Sequence, residues 1–195
     1  MTTVKKSKSK KQIILEAAAR LFRDKGYPAT SMRDLAQAVD LKASSLYNHI
    51  ASKEEILQKI CFDNARHFLS AMKEIEKRPV SATERVKELL QLHIRLATED
   101  PTSVTSFNDE WRHLSEPQLS EFKALRKDYE KRFKAIVKEG METGEFKAVH
   151  PTIVLYSLLS SIRWLYDWYL PSGKVTPQEL VDELLTLLLQ GLIKE

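Results

Sequence analysis

The sequence predicts an all-α protein of about nine helices, and three observations support this fold class. The 195 residues include only five Gly and seven Pro, which is typical of long elements joined by few turns. Apolar residues recur every three or four positions along most of the chain, which is the period of an amphipathic helix. No segment shows the strict alternation of apolar and polar residues that a half-buried strand requires.

The composition limits the classes of protein that this chain can represent. Its one cysteine, Cys61, cannot form an internal disulfide, which fits a reducing compartment and a cytoplasmic location. No apolar run reaches the length of a membrane span, so we expect no membrane partner. The N-terminal residues are basic and polar and lack the apolar core of a signal peptide.

The net charge of +4 is unevenly distributed. Residues 1–53 contain 11 Lys and Arg against 4 Asp and Glu, a balance of +7, and the remaining residues contain 20 against 23, a balance of −3. This asymmetry indicates a polyanionic partner for the N-terminal part only. The basic run Lys5–Lys11 is either a solvated tail or an arm that becomes ordered along a DNA groove.

Helix 1 is predicted from about Ser9 to Lys25, and Gly26 is expected to end it as a left-handed cap. Helix 2 begins after Thr30 or Ser31. The pair Ser31 and Asp34 resembles a capping box in which Asp replaces the usual Glu or Gln.

Residues 40–42 form the next turn, and helix 3 follows from about Ala43 to His49. Leu46 and Ile50 should be its buried anchors. Ser52 caps helix 4, which continues to Pro79. Five further helices are predicted over residues 82–99, 103–114, 117–142, 151–170 and 176–191. The last of these opens with a complete capping box at Thr176.

Two short helices joined by three residues form a helix-turn-helix at about residues 31–50. Small side chains at Ala43 and Ser44 allow close approach to base edges, where Asn48 can donate and accept hydrogen bonds. Longer or cationic side chains, such as Tyr47 and Lys53, can reach phosphates. The predicted contacts to double-stranded DNA are Thr30, Ser31, Arg33, Lys42, Ala43, Ser44, Ser45, Tyr47, Asn48, His49 and Lys53.

This segment resembles the DNA-binding domain of the TetR/AcrR family of transcriptional regulators over about residues 8–68. The matching motifs are Leu21-Phe22, Gly26-Tyr27, Thr30-Ser31, Leu46-Tyr47, His49 and Ser52-Lys53-Glu54. The resemblance implies a DNA-binding domain over residues 8–68. It also implies a ligand-binding and dimerisation domain over residues 69–195, with the last two helices pairing across a two-fold axis.

The chain departs from the family pattern in the turn and in helix 3. Asp40 stands where Gly is usual, Lys42 replaces a capping Ser, and the common Lys-Gly-Thr is Ala43-Ser44-Ser45. The usual aromatic residue after His is Ile50. These departures leave the fold expectation intact, but no operator sequence can be transferred from the family.

The last two predicted helices support a homodimer independently of the resemblance. Each is apolar on more than one face, and the run of leucines from Leu180 to Leu192 illustrates this. A helix that is apolar on two faces must bury both, and a partner subunit provides the second contact. A central helix buried within a monomer is the alternative.

The remaining helices carry polar side chains within apolar stripes and predict a pocket for a small-molecule effector. Arg163 interrupts the apolar run from Ile153 to Leu170, so it either pairs with a carboxylate, for example that of Glu110, or meets a ligand anion. The predicted ligand-binding residues are His93, Glu110, Trp111, Arg126, Tyr129, Arg163, Trp164 and Trp168. We expect no cofactor and no metal site, because His93 and His113 lack ligand spacing with any acid or Cys.

A second resemblance concerns the effector. The motifs Glu110-Trp111-Arg112, Arg126-Lys127-x-Tyr129 and Trp168-Tyr169-x-Pro171-x-Gly173 are similar to those of family members that sense acyl-CoA thioesters. Two alternatives remain open: a repressor that responds to a cationic drug, with Glu110 as its counter-charge, and a DNA-binding protein with no ligand. An enzyme is not expected, because the sequence contains no nucleophile–base pair, metal-ligand spacing or glycine-rich phosphate loop.

Overall fold

A computed structural model describes residues 9–169 and 172–194 of the chain. Over these residues the backbone forms helices joined by short turns, with one isolated antiparallel bridge between Phe146 and Ile193. The all-α prediction is therefore confirmed. The α-helices α1 to α10 are, in chain order, Lys10–Lys25, Met32–Ala38, Ala43–Tyr47, Lys53–Glu76, Ala82–Glu99, Pro101–Asp109, Gln118–Glu142, Pro151–Arg163, Leu165–Trp168 and Pro177–Gln190, and a 3-10 helix, Glu110–His113, follows α6.

The predicted caps define most helix starts. Ser31 and Asp34 form the expected reciprocal capping box at α2, and Thr176 and Glu179 do so at α10. The Ser52 hydroxyl accepts a hydrogen bond from the N–H of Glu55 at α4. Each cap satisfies an N–H group that would otherwise lack a partner at a helix end.

The turns around α2 depend on two residues with positive φ. Gly26 has φ 83° and ψ 151°, which is not the predicted left-handed helical cap but an extended conformation that glycine alone adopts readily. Asp40 has φ 52° and thus takes the left-handed geometry that Gly provides in the family. Lys42 is the N-cap of α3 and makes no side-chain capping bond.

The described residues form two apolar cores, and α4 passes through both. The N-terminal core contains side chains from the first half of α4, including Ile56 and Cys61, and is completed by Leu114 and Phe122. The C-terminal core begins at Phe68 on the same helix and includes residues of α5, α7, α8 and α10. The predicted domain boundary at residue 68 therefore lies inside a continuous helix.

Four predicted helices differ in extent from those observed. Helix 3 ends at Tyr47 rather than at His49. Helix 4 ends at Glu76 rather than at Pro79. Helix 6 starts at Pro101 and changes to a 3-10 helix at Glu110. Helix 8 ends at Arg163, and after Trp164 the short α9 begins, which keeps Leu165 in the core.

Two predictions fall partly outside the described residues. These are the end of helix 8 before Pro171 and most of the basic run, residues 5–8. The described end of that run belongs to α1, where the Lys11 ammonium lies 3.0 Å from a carboxylate oxygen of Glu55.

The segments from α8 to α10 expose large apolar side chains. Ile153 is 59% exposed, Trp164 61%, Trp168 55% and Leu187 70%. Several exposed apolar side chains of this size favour an interaction surface. No helix in the described part of the chain is long and apolar enough to cross a membrane.

Candidate functional site

The helix α3 stands on the surface of the N-terminal core. Leu46 and Ile50 are buried and anchor it, as the sequence predicts. The predicted contact residues Arg33, Lys42, Ala43, Ser44, Tyr47, Asn48 and His49 are exposed, and Ser45 is half-buried. Tyr47 is 54% exposed, so its ring is available to a partner rather than to the core.

Two predicted contacts at the start of α2 use their hydroxyls within the protein. Thr30 is only 1% exposed, and its hydroxyl donates to the Gly26 carbonyl at 2.9 Å. The Ser31 hydroxyl is exposed but donates to the Asp34 carboxylate, and this bond holds the pKa of Asp34 at about 2. Thr30 thus closes the loop between α1 and α2 and lies beneath the surface on which the exposed residues stand.

Lys53, the third predicted phosphate contact near this loop, already has partners. Its ammonium donates to the Tyr27 carbonyl at 2.7 Å and lies 4.3 Å from the centre of the Tyr27 ring. A second, longer bond of 3.4 Å reaches the Pro28 carbonyl. Lys53 therefore connects the start of α4 to the loop that precedes α2.

A cavity of about 190 Å³ lies between α4, α5, α6, α7 and α8. Four of the eight predicted ligand residues line it: His93, Arg126, Tyr129 and Arg163. Residues of the lining that sequence reasoning missed are Ala65, Phe68, Ala97, Val104, Phe107, Asn108, Leu125, Glu130, Tyr156, Leu159, Ser160, Ile162 and Tyr166. The lining is thus largely apolar and aromatic, with the cationic groups at one end.

Part of the missed lining has a sequence signal. Tyr156, Ser160 and Arg163 are separated by four and three positions and form one stripe of α8, while Glu130 lies one helical turn after Arg126. Such spacing places side chains on a common helix face. The apolar members carry no comparable signal, because apolar residues at helical spacing are equally expected in a closed core.

The inner end of the cavity contains a polar pair, the half-buried His93 and the buried Tyr129. His93 Nε2 and the Tyr129 hydroxyl oxygen are 2.8 Å apart, and the His93 ring stacks on Phe68 with a centroid distance of 4.4 Å. Burial lowers the pKa of His93 to about 4 and raises the pKa of Tyr129 well above its usual value. Both groups are therefore uncharged at neutral pH.

The guanidinium groups of Arg163 and Arg126 lie at the outer end of the cavity and have different partners. Arg163 forms an ion pair with Asp109, whose other carboxylate oxygen accepts a hydrogen bond from Tyr166 at 2.9 Å. Asp109 is thus the carboxylate partner of Arg163, and the expectation of Glu110 was wrong. Burial raises the pKa of Tyr166 to about 12.

Arg126, unlike Arg163, contacts an aromatic ring rather than a carboxylate. Its guanidinium lies 4.9 Å from the centre of the Trp111 ring, and Arg112 lies over the same ring at 4.7 Å. Burial lowers the pKa of Arg126, as do the charges of Arg112 and Arg163, while Glu130 opposes them. Among the described residues, no hydrogen bond or ion pair within 4 Å satisfies the Arg126 guanidinium.

The other four predicted ligand residues lie outside the cavity lining. Trp164 and Trp168 point to solvent, because the helix breaks between α8 and α9. Trp111 packs against Phe122 and the N-terminal core. Glu110 is directed towards the N-terminal helices rather than towards the cavity.

Glu110 is part of a polar junction between the two cores. Its carboxylate accepts a hydrogen bond from the Tyr27 N–H at 3.2 Å, and the Tyr27 ring stacks on His113 at 5.3 Å. Nearby, the Ser115 N–H donates to the Glu54 carboxylate at 3.0 Å. The residues after α6 therefore contact both the loop before α2 and the start of α4.

Neither metal nor thiol chemistry is indicated in the described part of the chain. No cluster of three or more His, Cys, Asp or Glu residues there is arranged to hold a metal ion. Burial raises the pKa of Cys61 to about 12, so its thiol stays protonated and inert at neutral pH.

Comparisons with known proteins agree with this architecture. Residues 79–192 match the family described as "Tetracyclin repressor-like, C-terminal domain", and residues 14–60 match "Bacterial regulatory proteins, tetR family". The HTH-type transcriptional repressor KstR2 of Mycobacterium tuberculosis is 27% identical over 189 residues, which cover 96% of this chain and 94% of the relative.

Solved structures extend the likeness to three dimensions. The ketosteroid transcriptional regulator KstR2 of Mycobacterium tuberculosis superposes with a TM-score of 0.90 at 26% identity, covering 97% of this chain and 98% of that one. AibR in complex with isovaleryl coenzyme A and operator DNA gives a TM-score of 0.80 at 26% identity, with coverages of 92% and 97%. The regulator PfmR from Thermus thermophilus gives 0.79 at 32% identity, with coverages of 91% and 97%.

Proposed function

The chain belongs to the TetR family of bacterial regulatory proteins, and from this premise we propose that it is a homodimeric, cytoplasmic repressor that an acyl-CoA thioester releases from its DNA operator. Members of this family are transcriptional regulators and not enzymes. The observation that carries the effector proposal is the cavity of about 190 Å³, which is largely apolar inside and cationic at its outer end.

The DNA contact is assigned to the exposed side of α3. Ser44, Ser45 and Asn48 meet base edges in the major groove, and Tyr47 and His49 meet phosphates. Arg33 and Lys42 add positive charge on either side of α3. Thr30 is left out of this surface because its side chain is buried.

The effector is matched to the cavity by charge and by polarity. An acyl chain fits the apolar interior, while the phosphates of coenzyme A need cations, which Arg126, Arg112 and Arg163 supply near the outer end. The structure of AibR with isovaleryl coenzyme A provides a related protein with this class of ligand. A volume of about 190 Å³ accommodates the acyl group, so the coenzyme extends outwards past Arg126.

Adjacent residues connect this cavity to the DNA-binding helices. Asp109 pairs with Arg163 at the cavity, and the next residue, Glu110, accepts the Tyr27 N–H. A phosphate that draws Arg163 away from Asp109 loosens the end of α6. This movement shifts Tyr27 and with it Lys53 at the start of α4, because the Lys53 ammonium is bonded to the Tyr27 carbonyl. The ligand need only bind one arrangement better than the other to release DNA.

A second subunit is assigned to the exposed apolar face of α8–α10. Trp164, Trp168 and Leu187 are all more than half exposed there, and burying them against a copy of the same face forms a two-fold interface. A dimer places two copies of α3 on one side of the molecule for two half-sites.

The two alternatives are less well supported. The carboxylate expected to receive a cationic drug, that of Glu110, bonds to Tyr27 instead. Glu130 lines the cavity, but it accepts a hydrogen bond from Tyr156 and shares the lining with Arg126 and Arg163. A regulator without a ligand would be expected to fill its interior, whereas a cavity is present between five helices.

The experiment measures DNA binding by fluorescence anisotropy on a labelled duplex selected from a random-sequence pool. Isovaleryl-CoA and hexanoyl-CoA are added, with free coenzyme A as the control. At least one ester should weaken DNA binding by roughly tenfold or more, within the range of allosteric couplings. Native mass spectrometry should show a dimer that takes up the ester.

Two matched variants of α7 test whether the ester acts through Arg126. Arg126→Met should abolish the response to the ester while leaving DNA affinity in its absence unchanged. Lys123→Met, which removes an exposed cation elsewhere on α7, should respond like the wild type. Wild-type protein that binds DNA but responds to neither ester would overturn the effector class and leave the DNA-binding assignment standing.

A further inference from the structure

The inner end of the cavity is not purely apolar, although an unsubstituted acyl chain would require only apolar contacts there. His93 projects from α5 and Tyr129 from α7, and the two are hydrogen-bonded across the cavity floor at 2.8 Å. Phe68 contacts both rings. A polar pair in such an environment is costly unless its hydrogen-bonding groups are satisfied.

This pair retains hydrogen-bonding capacity in either tautomer of the histidine. If the Tyr129 hydroxyl donates to Nε2, the His93 Nδ1–H remains as a donor and the phenolic oxygen as an acceptor. If Nε2–H donates to Tyr129, the hydroxyl proton remains as a donor and Nδ1 as an acceptor. In the described part of the chain no further hydrogen bond satisfies these groups, and both residues line the cavity.

The charge state of the pair decides which ligand group it can receive. Burial keeps His93 unprotonated, with a pKa of about 4, and keeps Tyr129 un-ionised. An uncharged donor–acceptor pair in apolar surroundings does not compensate the desolvation of a carboxylate or an ammonium group. A hydroxyl or keto oxygen, which loses far less solvation free energy, is the matching group.

We propose that the His93–Tyr129 pair is a specificity determinant that selects acyl-CoA effectors whose acyl group carries an uncharged oxygen, as a hydroxyl or a ketone. This inference rests on the proposed acyl-CoA effector and defines its acyl part. The cations at the outer end bind any coenzyme A ester, whereas the inner pair distinguishes an oxygenated chain from a plain hydrocarbon. Sites built to hydrogen-bond a ligand oxygen reject the analogue that lacks it, because their own polar groups are then left unpaired.

The test is isothermal titration calorimetry with hexanoyl-CoA and a set of hexanoyl-CoA derivatives, each with one hydroxyl or keto oxygen at a different carbon. At least one derivative should bind the wild type about tenfold or more tightly than hexanoyl-CoA, as expected for a hydrogen bond to groups that have no further partner among the described residues. Tyr129→Phe keeps the ring and removes the hydroxyl, and should reduce this preference to about twofold or less. His93→Gln is the second variant and should also reduce it.

Tyr156→Phe is the matched control, because it removes a cavity hydroxyl that lies at the outer end and donates to Glu130. It should alter the affinities of plain and oxygenated esters alike and so keep their ratio. The inference is overturned if no oxygenated ester exceeds hexanoyl-CoA, or if the preference survives in both inner-end variants. Equal binding of all esters overturns only the role of the pair, whereas binding of none overturns the effector class as well.

Discussion

Lys53 and Lys42 are both proposed to contact DNA phosphates, and replacing each with Gln distinguishes a structural role of the lysine from a phosphate contact. Lys53 donates to the Tyr27 carbonyl at 2.7 Å and stacks its ammonium on the Tyr27 ring. Lys42 is exposed, and within the described residues its side chain makes no hydrogen bond or ion pair. The two substitutions remove the same charge from two different environments.

The expected cost of Lys53→Gln follows from these contacts. A hydrogen bond from a charged group contributes about 1.5–3 kcal/mol, and a partly exposed cation–π contact about 0.5–1 kcal/mol. Because the Lys53 side chain is half-exposed and Gln can restore one neutral bond, we expect a loss of about 1–2 kcal/mol. This corresponds to a fall of about 2–8 °C in the melting temperature of a chain of this size. Lys42→Gln should cost nothing measurable.

Urea unfolding measures the stability of both variants, and DNA titrations over a range of salt concentrations measure their phosphate contacts. If each lysine neutralises one phosphate, each substitution should reduce the slope of log affinity against log salt by about one unit. An unchanged free energy of unfolding for Lys53→Gln would refute the contact with Tyr27. A loss of stability with an unchanged salt slope would refute its phosphate contact and leave a purely structural lysine.

Two further predictions concern the C-terminal core. A Cβ atom at Gly140 would lie 2.3 Å from a ring carbon of the buried Phe146, so Gly140→Ala should destabilise the protein by about 1–3 kcal/mol in urea unfolding. Gly191→Ala meets no atom within 4 Å and should stabilise by about 0.5 kcal/mol, so equal effects of the two would contradict the packing argument. Burial holds the pKa of His93 at about 4, below the ordinary 6.5. As the pH falls, His93 is therefore protonated in the unfolded chain before it is protonated in the folded protein. The free energy of unfolding should thus fall as the pH drops from about 6.5 to about 4. His93→Gln should remove that part of the pH dependence, which urea midpoints across a pH series would reveal.

The local rules of helix formation were sufficient to predict most of the fold. Ser31, Ser52 and Thr176 begin helices where the sequence predicts, because a hydroxyl that caps an exposed N–H acts within three residues. The positive φ of Asp40 could also be inferred, because Asp stands where the family has Gly and tolerates this conformation. These features depend on neighbours in sequence, and no tertiary contact was needed to infer them.

The ligand residues were predicted less completely because a cavity depends on how separate helices meet. Arg163 was identified from its position within an apolar run, and it does line the cavity. Trp164 and Trp168 were assigned to the pocket on the assumption of an unbroken helix, but the break after Arg163 directs both to solvent. Glu110 was assigned as a polar residue beside an apolar stripe and as part of the Glu110-Trp111-Arg112 motif, and its carboxylate instead accepts a hydrogen bond from Tyr27.

The end of α6 lets one short segment contact both the cavity and the N-terminal helices. Asp109 is the last residue of α6, and Glu110 begins a 3-10 helix. Successive side chains of any helix point about 100–120° apart, so Asp109 meets Arg163 while the next residue, Glu110, meets Tyr27. A short 3-10 segment has weaker hydrogen-bond geometry, so the local movement required to couple the two sites is less costly here than in a regular helix.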